Sequence, residues 1–208
     1  ENSVLTLLSL TYEDDKVEIS RIMTPFDREV HNAVATNWAA GNRTITLRQV
    51  YQAMTASQAK PSNTMLEAIE RSIDKQRRTF VTLDFSAELR GRKAEFDGEE
   101  VTADGCRFET YMLKADKLTV TTANGMDKVG YQISEAPVLY RHDCTTKQII
   151  SYPHKYLSST SKVASNTETN ILMRSYLLRR IKVMSGKSAV SSNHRIRYAS
   201  VYSAAGKD

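Results

Sequence analysis

The side chains able to do covalent or metal chemistry are few and dispersed. Four histidines, His31, His142, His154 and His194, are scattered along 208 residues, and no two are spaced as His-x-His. A rolling-circle nickase needs clustered histidines for its metal and a tyrosine nucleophile close by, so this spacing argues against one. The run GMDKVGY (125–131) holds two glycines at phosphate-loop spacing, but Tyr131 stands where the lysine of such a loop must reach the β- and γ-phosphates. His142, Asp143 and Cys144 adjoin, while Cys106 lies far off. Thiolate or metal chemistry needs such groups brought together, and an ordinary loop at a strand end accounts for the triplet more simply. Asn42-Arg43-Thr44 matches a glycosylation acceptor, which has meaning only in a secreted chain. The expectation is therefore no catalytic residue, no metal and no cofactor: a binding protein, not an enzyme.

The binding chemistry concentrates in residues 62–78, SNTMLEAIERSIDKQRR. Met65, Leu66, Ile69 and Ile73 repeat at helical spacing. The opposite face carries Thr64, Glu67, Arg71, Asp74, Lys75 and Arg78. Ser62 and Asn63 sit at the helix start, where unsatisfied N–H groups and the helix dipole favour a phosphate or a base. Thr64 and Arg71 suit base edges. Glu67 can accept from a cytosine amino group or pair with Arg71 one turn on. Lys75, Arg77 and Arg78 suit the nucleic-acid backbone. Arg90, Arg92 and Lys93, in RGRK, form either a basic loop that tracks phosphates or a soluble loop tip. The competing reading of the helix is a solvent face laced with ion pairs, and its surroundings favour DNA.

Those surroundings are legible from punctuation. In TPFDREVHNAVATNWAAGN (24–42), Thr24 caps a helix, Pro25 takes its first position, Asp27 completes a capping box and Gly41-Asn42 stops it. RTIT follows as a short strand. Thr46 with Gln49 makes a second capping box, opening a helix over 47–55, and Ser62 opens the third over 63–78. Strands are expected at 4–10 and 17–23 around an acidic turn. Others are expected at 79–85, 106–113, 117–122, 129–133, 137–140 and 147–152, with ANGMD (123–127) as a hairpin turn. The polar stretch 86–104 reads as a long excursion. After the Ser/Thr-rich linker 158–167 comes a helix over 168–184, then a strand–helix signal at 196–205. Trp38, Tyr51, Tyr176 and Tyr202 fall at core spacings and read as packing, not as platforms for stacked bases.

Composition is consistent with this. A chain with 40% hydrophobic and 25% charged residues and a net charge of +5 suits an ordinary globule. Charge is uneven: from Lys162 to Asp208 there are nine Lys/Arg against Glu168 and Asp208, which favours a polyanionic partner. No apolar run approaches a membrane span, and no basic segment followed by an apolar one marks a signal peptide. With only Cys106 and Cys144, reduced thiols in a cytoplasmic protein are expected.

Helix, short strand, helix, helix, strand, hairpin is the order of a winged helix-turn-helix, an α+β fold whose third helix enters the major groove with the hairpin beside it. The fold expected is a winged-helix domain with an extended β-hairpin region over 1–157. A partial second winged-helix-like unit would begin at 158 and run to 208. That second unit is suggested by a shared spacing: Ile45, Val50, Tyr51 and Ala53 against Ile196, Val201, Tyr202 and Ala204.

The segments TPFDREVHNAVATNWAAGNRTITLRQVYQAMT, EAIERSIDKQRRTFVTLDFSAE, QIISYPHKYL and ILMRSYLLRRI together resemble replication-initiator-like proteins of Gram-positive plasmids and integrative elements. Initiators of that kind have two winged-helix domains. The resemblance implies sequence-specific binding of double-stranded DNA, oligomer-dependent recognition of repeated origin sites with the homodimer as the expected partner state, and recruitment of host replication proteins. The incomplete second unit departs from the pattern. A winged-helix transcriptional regulator is the nearest alternative. A protein–protein adaptor using the same surface is the alternative of another class.

Overall fold

The structure, a computed structural model, describes residues 9–12, 15–18, 23–84, 94–96, 99–101, 107–121, 123–145, 149, 154–157, 165–185 and 195–205. It is an α+β chain. In order, the elements are β1 (Ser9–Tyr12), β2 (Asp15–Glu18), α1 (Pro25–Ala39), β3 (Thr44–Thr46), α2 (Leu47–Thr55), α3 (Asn63–Arg78), β4 (Phe80–Asp84), β5 (Ala94–Phe96), β6 (Glu99–Val101), β7 (Arg107–Tyr111), β8 (Ala115–Thr121) and β9 (Asp127–Ile133). Then follow α4 (Val138–Thr145), a 3₁₀ turn (His154–Leu157), α5 (Glu168–Met184) and α6 (Tyr198–Ala204).

The helix starts follow from local chemistry. The Thr24 hydroxyl accepts from the Asp27 N–H at 3.1 Å, and the Asp27 carboxylate accepts from the Thr24 N–H at 2.9 Å. Two of the donors left over at the start of α1 are thereby satisfied. Thr46 and Gln49 repeat the device at α2, with distances of 3.3 and 2.8 Å. Ser62 caps α3 through the Met65 N–H at 3.2 Å.

Two sheets flank these helices. One has the order β3-β9-β8, all antiparallel, with Ile45 opposite Tyr131 and Lys117 opposite Tyr131 on the other side. Gly130 lies where β3 crosses closest: a Cβ there would sit 3.0 Å from the Ile45 carbonyl oxygen. The other sheet has the order β2-β1-β4-β7. Its strands β4 and β7 leave the chain between α3 and β8, so this sheet interrupts the path from the third helix to the β8–β9 hairpin.

One core joins the helices to the first sheet. Val30 and Val34 of α1, Ile45 of β3, Val50 of α2, Ile69 and Ile73 of α3 and Tyr131 of β9 are fully buried in it. Burial of that many apolar side chains contributes about 1.5–3 kcal/mol for each large one. Ile171 of α5 enters the same cluster. Arg179 of α5 also pairs with Glu29 of α1 at 3.0 Å, so the helix beyond residue 158 rests on the helix that opens the first unit.

Three expectations from sequence require comment. A strand is expected over 137–140, and residues 138–140 instead begin α4. Pro137 precedes the helix, its carbonyl accepts from the Arg141 N–H at 3.0 Å, and a buried Val138 anchors the first turn. The strand expected over 147–152, apart from residue 149, lies outside the described residues, as does most of the polar stretch 86–104 apart from the short β5–β6 pair.

The repeat is the third. Val201 is buried, as Val50 is, but Tyr202 is 52% exposed where Tyr51 is 5% exposed. Residues 195–197 form no strand. Strand β3 exists because β9 pairs with it, and 195–197 lacks such a partner among the described residues. The α5–α6 pair therefore does not reproduce the α1–β3–α2 arrangement.

Candidate nucleic-acid interface

The third helix is buried along Ile69, Ser72, Ile73 and Gln76. The side chains turned to solvent are Ser62, Asn63, Thr64, Glu67, Arg71 and Arg78. Of the residues expected on the reading face, these six are brought together on one stripe, two successive turns of which carry Thr64, Glu67 and Arg71. Arg71 does not pair with the Glu67 carboxylate: its Nε donates to the Glu67 backbone carbonyl at 3.3 Å. That bond ties the guanidinium to its own helix, and the side chain is exposed.

Lys75, Arg77 and Asp74 sit differently from the expected exposed face. Lys75 reaches back to α1 and pairs with Asp27 at 2.6 Å. Burial alone lifts the pKa of the Asp27 carboxyl. Hydrogen bonds from Lys75, Ser72 and Thr24 outweigh it, so the group stays below the usual carboxylate value. Arg77 pairs with Asp74 at 3.1 Å, donates to the Ala115 carbonyl at 2.5 Å and lies 5.5 Å over the Tyr131 ring. Both cations are committed to internal partners. Arg90, Arg92 and Lys93 lie outside the described residues.

Asp74 faces the hairpin. Its carboxylate accepts from the Tyr131 hydroxyl at 3.0 Å and from Lys117 at 3.1 Å, and Lys117 also reaches Glu70 at 2.7 Å. Burial opposes the charge of Asp74, but bonds from Lys117, Tyr131 and Arg77 hold its carboxyl below the ordinary range. Hydrogen bonds to Glu70 and Asp74 push the Lys117 ammonium the other way, upward. The acids of α3 other than Glu67 are thus neutralised on the hairpin flank. The solvent stripe keeps two guanidiniums, Arg71 and Arg78, against one carboxylate.

The stripe has two flanks. On one side lies the β8–β9 hairpin, bound to Glu70 and Asp74 through Lys117, with Thr119, Thr121, Asn124 and Lys128 exposed. On the other, near the start of α3, residues 165–168 form the wall of a cleft of about 660 Å³ shared with Tyr51, Ser57, Ser62 and Thr64. Asn166 fixes that wall by donating to the Tyr51 hydroxyl at 3.1 Å and accepting from Arg174 at 2.7 Å. Sequence reasoning named neither Lys128 nor this wall. The turn at 123–127 was a usable signal for Lys128, whereas contact between residues 51 and 166 has no local signature.

Among the described residues no three His, Cys, Asp or Glu side chains cluster as metal ligands, and no helix is long and apolar enough to cross a membrane. His142 pairs with its neighbour Asp143 at 3.0 Å. No protein-family model, curated protein or solved structure matches this chain.

Proposed function

We propose that the chain is a winged-helix protein that binds double-stranded DNA sequence-specifically through α3, serving as a replication initiator of a plasmid or other mobile element in the cytoplasm. Support for the winged helix comes from order and pairing. The run α1, β3, α2, α3, β8, β9 forms one core, and its short first strand pairs with the last strand of the hairpin. The sheet of β4 and β7 is then an insertion between the third helix and the wing. A transcriptional regulator would use the same surface. Homodimers and host replication proteins as partners belong to the initiator reading and rest on the motifs quoted above.

The observation that carries DNA binding is the solvent stripe of α3. Asn63, Thr64, Glu67 and Arg71 offer donors and acceptors over the first turns, Arg78 adds charge beyond them, and the remaining acids are turned inward. Arg71 has the reach for a guanine edge, and Arg78, two turns on, suits phosphate. Arg71→Ala should cost about 1–3 kcal/mol on a cognate site and relax preference at one base pair. Arg78→Ala should weaken all duplexes alike and lower the salt slope by about one. Isotherms on cognate and random duplexes at several salt concentrations separate the two. If neither substitution alters duplex affinity, α3 is not the reading element and the protein–protein adaptor replaces this proposal.

A further inference from the structure

The basic bias of residues 162–208 finds no use on α3. Within it, Arg174 of α5 donates to the Leu157 carbonyl and the Asn166 side-chain oxygen, and Arg179 pairs with Glu29 of α1 at 3.0 Å. Arg180 is exposed, and with Arg28 of α1 it lines a cleft of about 430 Å³ between the first turn of α1 and the C-terminal half of α5. Leu172 and Tyr176 line the same cleft. Three guanidiniums, Arg28, Arg179 and Arg180, thus meet one carboxylate, Glu29, which Arg179 already neutralises. Arg28 and Arg180 have no carboxylate partner among the described residues.

The first turn of α1 fixes where this cleft lies. Successive residues of a helix point about 100° apart. Asp27 takes Lys75 of α3 at 2.6 Å, and Glu29, about 200° further round, takes Arg179 of α5. The two neighbouring helices therefore flank the turn on opposite sides. Phe26 and Val30 point into the core, and Arg28 is left facing solvent between α3 and α5. Lys75 lies one turn before Arg78, so Arg28 stands beside the end of the α3 stripe that Arg78 closes. Both acids of the turn are buried and paired, which leaves its solvent side cationic.

We propose that this cleft is a second phosphate site, which takes the phosphodiester backbone of the duplex where it runs on beyond Arg78. Arg28 and Arg180 hold it, since the guanidinium fork matches a pair of phosphate oxygens. The proposal rests on the DNA-binding reading of α3 and deepens it. The bound duplex is longer than the stretch α3 reads, and the added stretch is held without regard to base sequence. Each guanidinium that neutralises a phosphate displaces counterions, worth about one unit of salt slope. Arg179, committed to Glu29, braces α5 on α1 and makes no contact with the duplex.

The test uses the full chain with Arg28→Ala, Arg180→Ala and both together. Arg28→Lys with Arg180→Lys is the control that keeps the charge. Duplex affinity is measured across a salt series on a long cognate duplex and on duplexes trimmed stepwise from each end. Binding of inorganic phosphate is followed separately by calorimetry. The expected result is a slope lower by about one in each alanine variant and by about two in the double variant. The lysine pair keeps the parent slope, melting is unchanged because both side chains are exposed, and discrimination between cognate and random duplex is preserved. The difference from the parent vanishes when the duplex is trimmed from one end and persists when it is trimmed from the other. An unchanged slope in the double variant, or a loss as large on the shortest duplex as on the longest, overturns the inference and leaves the α3 reading standing. Phosphate binding that the double variant loses with no change in slope also overturns it and gives the cleft to a free anion. A parent chain that binds no duplex at any salt overturns both.

Discussion

At the scale of single residues, the clearest divide is between partners near in sequence and partners far away. The capping pairs Thr24–Asp27 and Thr46–Gln49 span three residues and were legible as patterns. Lys75 pairs with Asp27, 48 residues away, and Arg77 reaches the Ala115 carbonyl, 38 residues away, besides Asp74 on its own helix, so helical periodicity put Lys75 on a solvent face that it does not occupy. His31 belongs to the second kind. It is fully buried, its Nδ1 lies 2.7 Å from the Gln76 side-chain oxygen, and its Nε2 has no hydrogen-bond partner. Burial drives its pKa down to about 4, against the opposing pull of the Gln76 bond. The folded chain therefore prefers neutral imidazole. That stabilisation is complete above the unfolded value of about 6.5 and is lost as pH falls toward 4. The gap corresponds to an upper bound of about 3 kcal/mol. Urea unfolding at pH 7.5 and 4.5 should show a loss of that order, and His31→Gln should remove most of the difference. An equal loss in the variant places the titration elsewhere.

At the scale of elements, helices and hairpins were readable because each carries its own boundary chemistry. Helices α1, α2, α3 and α5 and the turn of the β8–β9 hairpin fell where caps, stripes and turn residues put them. The pairing of strands was not readable, since nothing in RTIT specifies β9 as its neighbour. α4 was misread because four residues, PVLY, satisfy strand and helix patterns equally. Gly130 shows how tightly the unforeseen pairing is made. Its missing side chain lets β3 approach, and the Ile133 N–H then donates to the Arg43 carbonyl at 2.7 Å. Gly130→Ala should displace β3 by a few tenths of an ångström and cost about 1–3 kcal/mol. The checks are a lower denaturation midpoint at unchanged m and faster amide exchange at Ile133. A variant as stable as the parent would mean that β3 yields without loss.

At the scale of the whole molecule, the α+β class was legible, and so was the helix that carries the candidate interface. The internal repeat was not sustained, because matching apolar spacings at Val50 and Val201 say nothing about what lies above Tyr51 and Tyr202. The inserted sheet has one more effect. Ile45 meets Tyr131 across about 85 residues of chain, so the helices assemble from near neighbours while the sheet beneath them waits for a distant strand. Pairings of such separation are reached slowly. The single tryptophan, Trp38, is placed to time the event: Arg43 stacks 3.5 Å over its ring, immediately before β3. In refolding, helical circular dichroism should recover first and Trp38 fluorescence later, at the rate at which β9 arrives. One common rate for both signals would show the distant strand already in place when the helices form. If the two rates separate, the chain passes through a stage with α3 formed and its hairpin still adrift.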